Sequence, residues 1–441
     1  MRLDGLHRDV VVVGGGQAGL AMSHRLTERG VSHVVLERER VGHEWRSRRW
    51  DTFCLVTPNW QCQLPGFAYP GDDPDGFMLR DQIVEYLQAY AKSFDPPLEE
   101  GVAATRLRRL ANGVFEVTTD AGVLTADQVV LATGPYQTPN VPRAAERLPG
   151  HIMQIHSSAY RRPEQFPEGA VLVVGTGQSG CQIAEDLHLA GRKVHLATGS
   201  APRVARRYRG RDCVDWLDDM GYYSKAIDTF ADVDAVRFRA NHYVTGRDGG
   251  HDIDLRAFAR DGMALYGRMT GIDGTTVGFD DALGRNLDAA DAISEGIKDS
   301  IDAFITASGR DVPTEDRYVP VWTPPPGAPR HLDTADIAAV VWCTGFGRDH
   351  RWIELPLFDG RGYPAHRRGV SNVSGVYLLG LPWQHTWGSG RFVGVGDDAE
   401  HLARQIDRRR KGRHGIDVRW LAGTTTSTYP IDDWEAPRTV A

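Results

Sequence analysis

The stretch Val10-Val11-Val12-Val13-Gly14-Gly15-Gly16-Gln17-Ala18-Gly19 decides the reading of this chain, because it occurs twice. Val171-Leu172-Val173-Val174-Gly175-Thr176-Gly177-Gln178-Ser179-Gly180 repeats it 161 positions later. Each begins as a continuous apolar run, the pattern of a parallel strand buried on both faces. GxGxxG and a helix-like stretch follow. The first glycine suits a tight turn, the second lets backbone approach a pyrophosphate, and the third lets helix pack on strand. The free N–H groups of the helix start then face the phosphates. One such motif is weak evidence. Two, each after a strand and before a helix, point to two dinucleotide-binding βαβ units.

Composition narrows the alternatives. A chain of 441 residues has room for about two or three domains. With 41% hydrophobic and 25% charged residues, neither disorder nor a fibrous repeat fits. Acidic residues outnumber basic ones 58 to 51, so no single-sign field exists to hold nucleic acid. No apolar run is long enough to span a bilayer, and Met1 to Asp9 lacks signal-peptide anatomy. Cys54, Cys62, Cys181, Cys213 and Cys343 are scattered, with no CxxC and no metal-ligand spacing. A soluble, cytoplasmic protein without metal is expected, with no membrane or nucleic-acid partner. Oligomeric state is not legible.

Further along, Val129-Val130-Leu131-Ala132-Thr133-Gly134 and Val340-Val341-Trp342-Cys343-Thr344-Gly345 share an ending. Val376 to Gly380 is another strand-to-glycine junction. Residues 288–306 read as a helix with Ile293, Ile297, Ile301 and Ile305 on one stripe. Asp397 to Arg410 reads as another, with Asp397 or Asp398 as N-cap. Pro320 to Pro329 reads as an extended connector. The organisation expected is a first domain from 1–150 and 331–441, a second from 151–330 with a helical insertion, and a tail at 424–441.

The residue about 20 positions after the glycine motif reads the ribose. In the first unit it is Glu37, followed by Arg38. In the second, the same offset reaches Thr198, which carries no charge to repel a 2′-phosphate. Downstream lie Arg203, Arg206, Arg207 and Arg209, which could attract one, Arg203 and Arg207 first because they follow the strand closely. The first site therefore suits FAD and the second NADPH. A solvated basic loop is the alternative for the arginines.

The chain resembles the flavin-dependent monooxygenases, the flavin-containing, YUCCA-like and Baeyer–Villiger relatives, over nearly its whole length. The resemblance rests on both glycine motifs, Trp45-Arg46, Leu55-Val56-Thr57-Pro58-Asn59-Trp60 with Leu64-Pro65-Gly66-Phe67, Thr133-Gly134, and Thr344-Gly345-Phe346. It is similar above all to a bacterial subgroup of predicted flavoproteins, some of them encoded beside nitrilase-like genes. It implies an α/β fold of two Rossmann-like domains in a glutathione-reductase-like arrangement. It also implies an enzyme in which NADPH reduces FAD, and a C4a-hydroperoxide formed with O₂ oxygenates an unidentified small-molecule nucleophile. An oxidase releasing hydrogen peroxide would use the same sites, and a flavin-binding redox sensor is a third reading. The resemblance places Trp45, Thr133, Gly134, Thr344, Gly345 and Gly380 among the cofactor-binding residues. The linker fingerprint is kept in His156 and Tyr160 but shifted at Gly150, which stands six residues before the histidine. His156 fits a linker role or a capping role equally. Asn59 is the candidate flavin-facing amide, or else a turn residue after Pro58. Arg391 is the candidate for stabilising charge on reduced flavin, or else a surface ion-pair partner.

Overall fold

The computed structural model describes residues 3–412. The run Val10 to Val13 is buried because it lies at the centre of a sheet. His7–Val13 pairs in parallel with His33–Glu37 on one side and Gly122–Leu131 on the other. Leu98–Glu100 and Val376–Leu378 extend this parallel core outward. Antiparallel strands complete a nine-stranded sheet. The helix Gln17–Glu28 starts directly after the glycine turn and packs Leu20, Ala21 and Leu26 against the core.

The second unit repeats this plan. Ala170–Val174 is flanked by Val194–Ala197 and Ile337–Trp342, with Met153–His156 and Ala264–Tyr266 outside them, all parallel. The helix Gln178–Leu189 follows its own glycine turn. The two-domain α/β architecture is therefore present.

The boundary expected at residue 331 is corrected. His331–Asp333 pairs with Thr276–Phe279, and Ile337–Trp342 lies between two strands of the second sheet. Ile337–Trp342 is to the second domain what Gly122–Leu131 is to the first. The shared Thr-Gly endings were the trace of that equivalence. The chain regains the first sheet only after Gly345, through Val376–Leu378. The two crossings between domains pair with each other, Thr138–Pro139 antiparallel to Phe346–Gly347.

The helix expected at 288–306 spans Leu283–Ser308, with Ile297, Ile301 and Ile305 buried against Tyr208 and Trp216. The last described helix is Val395–Arg410, capped by Gly394, so Asp397 and Asp398 fall in its first turn and neither is the N-cap. The expected tail at 424–441 lies outside the described residues. Among the described residues no helix is long and apolar enough to cross a membrane.

The candidate dinucleotide sites and the wall between them

The two glycine loops have the same geometry, position for position. Gly14 has φ +109° and Gly175 φ +105°. A Cβ on Gly14 would stand 2.4 Å from the carbonyl oxygen of Ala132, and one on Gly175 would stand 2.7 Å from that of Cys343. Both turns are thus closed by the end of the returning strand. Gly19 and Gly180 touch the turn itself: a Cβ would meet the carbonyl oxygen of Gly14 at 1.8 Å or of Gly175 at 1.9 Å. Gly16 and Gly177 differ, because a Cβ there would meet nothing within 4 Å. Each is the N-cap of its helix, and no side chain caps either. Two uncapped helix starts facing open space leave backbone N–H groups free of side-chain partners, the arrangement that favours an anion.

Around the first loop, Glu37 accepts from the Gly15 N–H at 2.7 Å and the Glu39 N–H at 2.9 Å. Arg38 is exposed and reaches Glu39 and Glu44 at 3.9 and 3.8 Å. Gln17 donates to the Gly390 carbonyl at 3.2 Å. A Cβ on Gly380 would stand 2.9 Å from that of Ala18, so the last parallel strand ends against the helix start. Thr133 and Gly134 accept from the Gln137 amide, each at 3.0 Å. Trp45 stacks on Phe392 at 5.9 Å between centroids.

Around the second loop, Gln178 donates to the Val244 carbonyl at 2.6 Å. Ser179 follows it in the first helical turn. Thr198 is buried; its hydroxyl donates to the Tyr266 carbonyl at 2.8 Å and accepts from Asn286 at 3.0 Å. Thr344 donates to the Asn140 carbonyl, tying the two domain crossings together. His156 belongs to the same tie. Its Nδ1 accepts from the Ser158 N–H, which leaves Nε2 to donate to the Gly345 carbonyl at 2.9 Å. The capping reading of this histidine is realised, and its other ring nitrogen bridges to the second crossing.

Three expected site residues are engaged within the protein. Arg203 is 3% exposed and forms ion pairs with Asp291 at 2.9 Å and Asp254 at 3.8 Å, its guanidinium 4.0 Å from the centroid of the Tyr318 ring. It has no reach to spare for a ligand phosphate. Arg207 donates to the carbonyls of Gly249 and Gly250 at 2.9 and 3.0 Å. Asn59 donates to the Asp73 carbonyl at 2.9 Å and accepts from the Met78 N–H at 2.7 Å, so its amide closes a loop. The turn reading holds for it.

One buried amide escapes the sequence reading. Gln61, 2% exposed, has neither a donor nor an acceptor for its side-chain amide. An orphaned buried amide costs on the order of 1–3 kcal/mol unless a ligand completes it. It ends the turn Asn59–Gln61, just before the segment 63–65 that touches the start of the last helix at Gly396. No motif flags a glutamine there. Arg206 binds Asp212 at 2.6 Å and the Val56 carbonyl at 2.7 Å, holding the insertion on the first domain.

Arg391 donates to Asn241 at 2.9 Å and to the Trp387 carbonyl, with its guanidinium 3.9 Å from the centroid of the Trp387 ring. Burial holds its pKa below the ordinary arginine value. Its loop is fixed from beneath. Ser389 accepts from the His385 and Thr386 N–H groups and donates to Asp398 at 2.6 Å. Burial raises the Asp398 carboxyl from 3.8 to about 6, against opposing pulls from Ser389 and Arg368. A carboxyl raised in this way favours the folded state below the unfolded value, and that advantage is lost as pH rises through the folded one. Asp398→Asn is therefore expected to gain stability relative to the parent as pH rises from 3.8 through about 6, and to keep that gain above it. The gain is at most about 3 kcal/mol, less what Arg368 loses. Denaturant midpoints of both proteins at each pH measure it, and a gap that does not change with pH refutes it.

No disulfide joins the cysteines among the described residues. Cys54, Cys62, Cys181 and Cys213 are buried, and among the described residues all five are unpaired. Burial pushes the Cys54 thiol up to about 11 and that of Cys62 up to about 12. A thiolate nucleophile needs the opposite environment.

Comparison with known proteins agrees with this geometry. Residues 11–242 match the family model described as pyridine nucleotide-disulphide oxidoreductase. An uncharacterized CzcO-like oxidoreductase of Geobacillus kaustophilus is 32% identical over 402 residues, 90% of this chain and 98% of that protein. The indole-3-pyruvate monooxygenase YUCCA1 of rice, Oryza sativa subsp. japonica, is 35% identical over 207 residues, 45% of this chain and 49% of its own length. A flavin-containing monooxygenase from Stenotrophomonas maltophilia superimposes with a TM-score of 0.65 at 21% identity, covering 92% of this chain and 99% of that one. That likeness is one of fold.

Proposed function

The chain belongs to the pyridine nucleotide-disulphide oxidoreductase family, and from that premise we propose that it is an FAD- and NADPH-dependent monooxygenase acting on a small-molecule nucleophile. The observation that carries this reading is the pair of matching glycine loops, each closed by its own returning strand and each opening an uncapped helix toward free space. The raised thiols of the buried Cys54 and Cys62 support an oxygenase over a disulfide reductase. So does the partial identity to YUCCA1.

Glu37 is offered as the ribose ligand of FAD and Gly16 as the place where backbone meets its pyrophosphate. Gln61 is offered as the amide that meets the flavin rim, where ring carbonyls and ring nitrogens alternate. Gly177 would meet the pyrophosphate of NADPH. Thr198 stands where Glu37 stands in the first unit, and no carboxylate there repels a 2′-phosphate. When bound, FAD supplies the electron transfer and oxygen activation. The protein's part is to hold two nucleotides in fixed relation, with the paired crossings and the His156–Gly345 bond setting that relation.

The test is stoichiometric. Purified protein is expected to carry FAD and to oxidise NADPH in preference to NADH. With a substrate it should place one atom of labelled O₂ in the product for each NADPH consumed. Hydrogen peroxide equal to the NADPH oxidised, with no labelled product from any nucleophile, would instead establish an oxidase. Gln61→Leu should shift the visible flavin spectrum, and an unaltered spectrum would remove Gln61 from the site.

A further inference from the structure

Arg391 sits where two parts of the fold meet. The carbonyl of Gly390 before it accepts from Gln17, so the backbone belongs to the first glycine loop. The side chain turns instead toward the segment 222–243, bonding Asn241 and lying over Trp387. Tyr223 packs on Trp387 with centroids 4.4 Å apart, and Tyr222 meets Trp383 edge-on at 6.2 Å. A guanidinium has five N–H donors. Among the described residues only two acceptors meet them, and no carboxylate lies within ion-pair distance. Arg49 continues the wall beyond Trp45 and Phe392, again without an ion-pair partner among the described residues. The wall is positive and aromatic.

A half-buried cation without a counter-ion is costly. The fold retains one here, beside flat apolar rings and on the side facing the insertion. Its planar fork matches a carboxylate in two parallel hydrogen bonds. We propose that Arg391 anchors the carboxylate of the substrate, and that the substrate class is small organic acids whose flat apolar body rests against Trp387 and the tyrosines. This deepens the monooxygenase reading and depends on it for the word substrate, but the binding claim is separable.

The test is equilibrium binding of phenylacetate and of its neutral amide to the oxidised holoenzyme, by calorimetry, without turnover. The acid should bind about tenfold or more tightly than the amide, as expected for a charge-assisted pair. Arg391→Leu should abolish that preference and leave the amide within about twofold. Arg391→Lys should retain part of it, and Arg391→Gln serves if the leucine variant does not fold. Flavin content and NADP⁺ affinity are measured on the same proteins and should stand unchanged. Equal affinity of acid and amide, or no binding of the acid, overturns the proposal. So does loss of NADP⁺ or flavin in parallel with the acid, since the guanidinium would then serve a cofactor. If the holoenzyme proves an oxidase, the acid–amide comparison still reads the anion site.

Discussion

Replacing Arg203 by alanine is expected to destabilise the second domain by about 3 kcal/mol while leaving the ratio of kcat/KM for NADPH over NADH within about twofold of the parent. The guanidinium neutralises Asp291 and faces Asp254, and Tyr318 covers it while donating to Asp254 at 3.0 Å. Burial raises the Asp291 carboxyl, with Arg203 as the main opposing influence. Removing the cation leaves a half-buried carboxylate with Arg256 alone, at 2.8 Å, to hold it. The lost energy is chiefly that uncompensated charge. Denaturant unfolding of apoprotein and holoprotein reads the first half of the expectation, and steady-state kinetics with both nucleotides the second. A collapse of the nucleotide ratio at unchanged stability would return Arg203 to the phosphate site.

That case marks what the sequence could and could not reveal. Periodicity and glycine spacing are local, so both βαβ units were legible, and the rule linking Glu37 to the ribose has a fixed offset. The partners of an arginine are not local. Asp291 lies on the long helix Leu283–Ser308, 88 residues after Arg203, and nothing in either segment announces the pairing. The Thr-Gly endings at 133–134 and 344–345 were visible. Their meaning needed strand order: Ile337–Trp342 closes the second glycine turn as Gly122–Leu131 closes the first. Asn59 and Gln61 show the same limit at short range. Both are buried amides in one turn, and only the count of hydrogen bonds separates the satisfied one from the orphan.

The second large effect is expected from a single methyl group in each glycine loop. Gly16→Ala should fold with near-parental stability and lose FAD, with affinity falling at least about a hundredfold. Gly177→Ala should keep FAD and lose the reductive half of the reaction by a similar factor. Gly16 has φ −75° and Gly177 φ −63°, values open to alanine, and a Cβ at either meets no protein atom within 4 Å. The fold therefore has no reason to object. The methyl would occupy the space through which backbone N–H groups and phosphate must approach each other. Gly14 and Gly175 are the control for this reasoning. Alanine there must take φ near +105° against a backbone carbonyl, so Gly14→Ala and Gly175→Ala should lose stability before any question of ligand arises. Flavin absorbance, anaerobic reduction by NADPH and denaturant midpoints on the four variants separate the two kinds of glycine. Full flavin in Gly16→Ala would mean that no pyrophosphate passes that point. The first loop would then be a structural turn, and the assignment of FAD to it would fall.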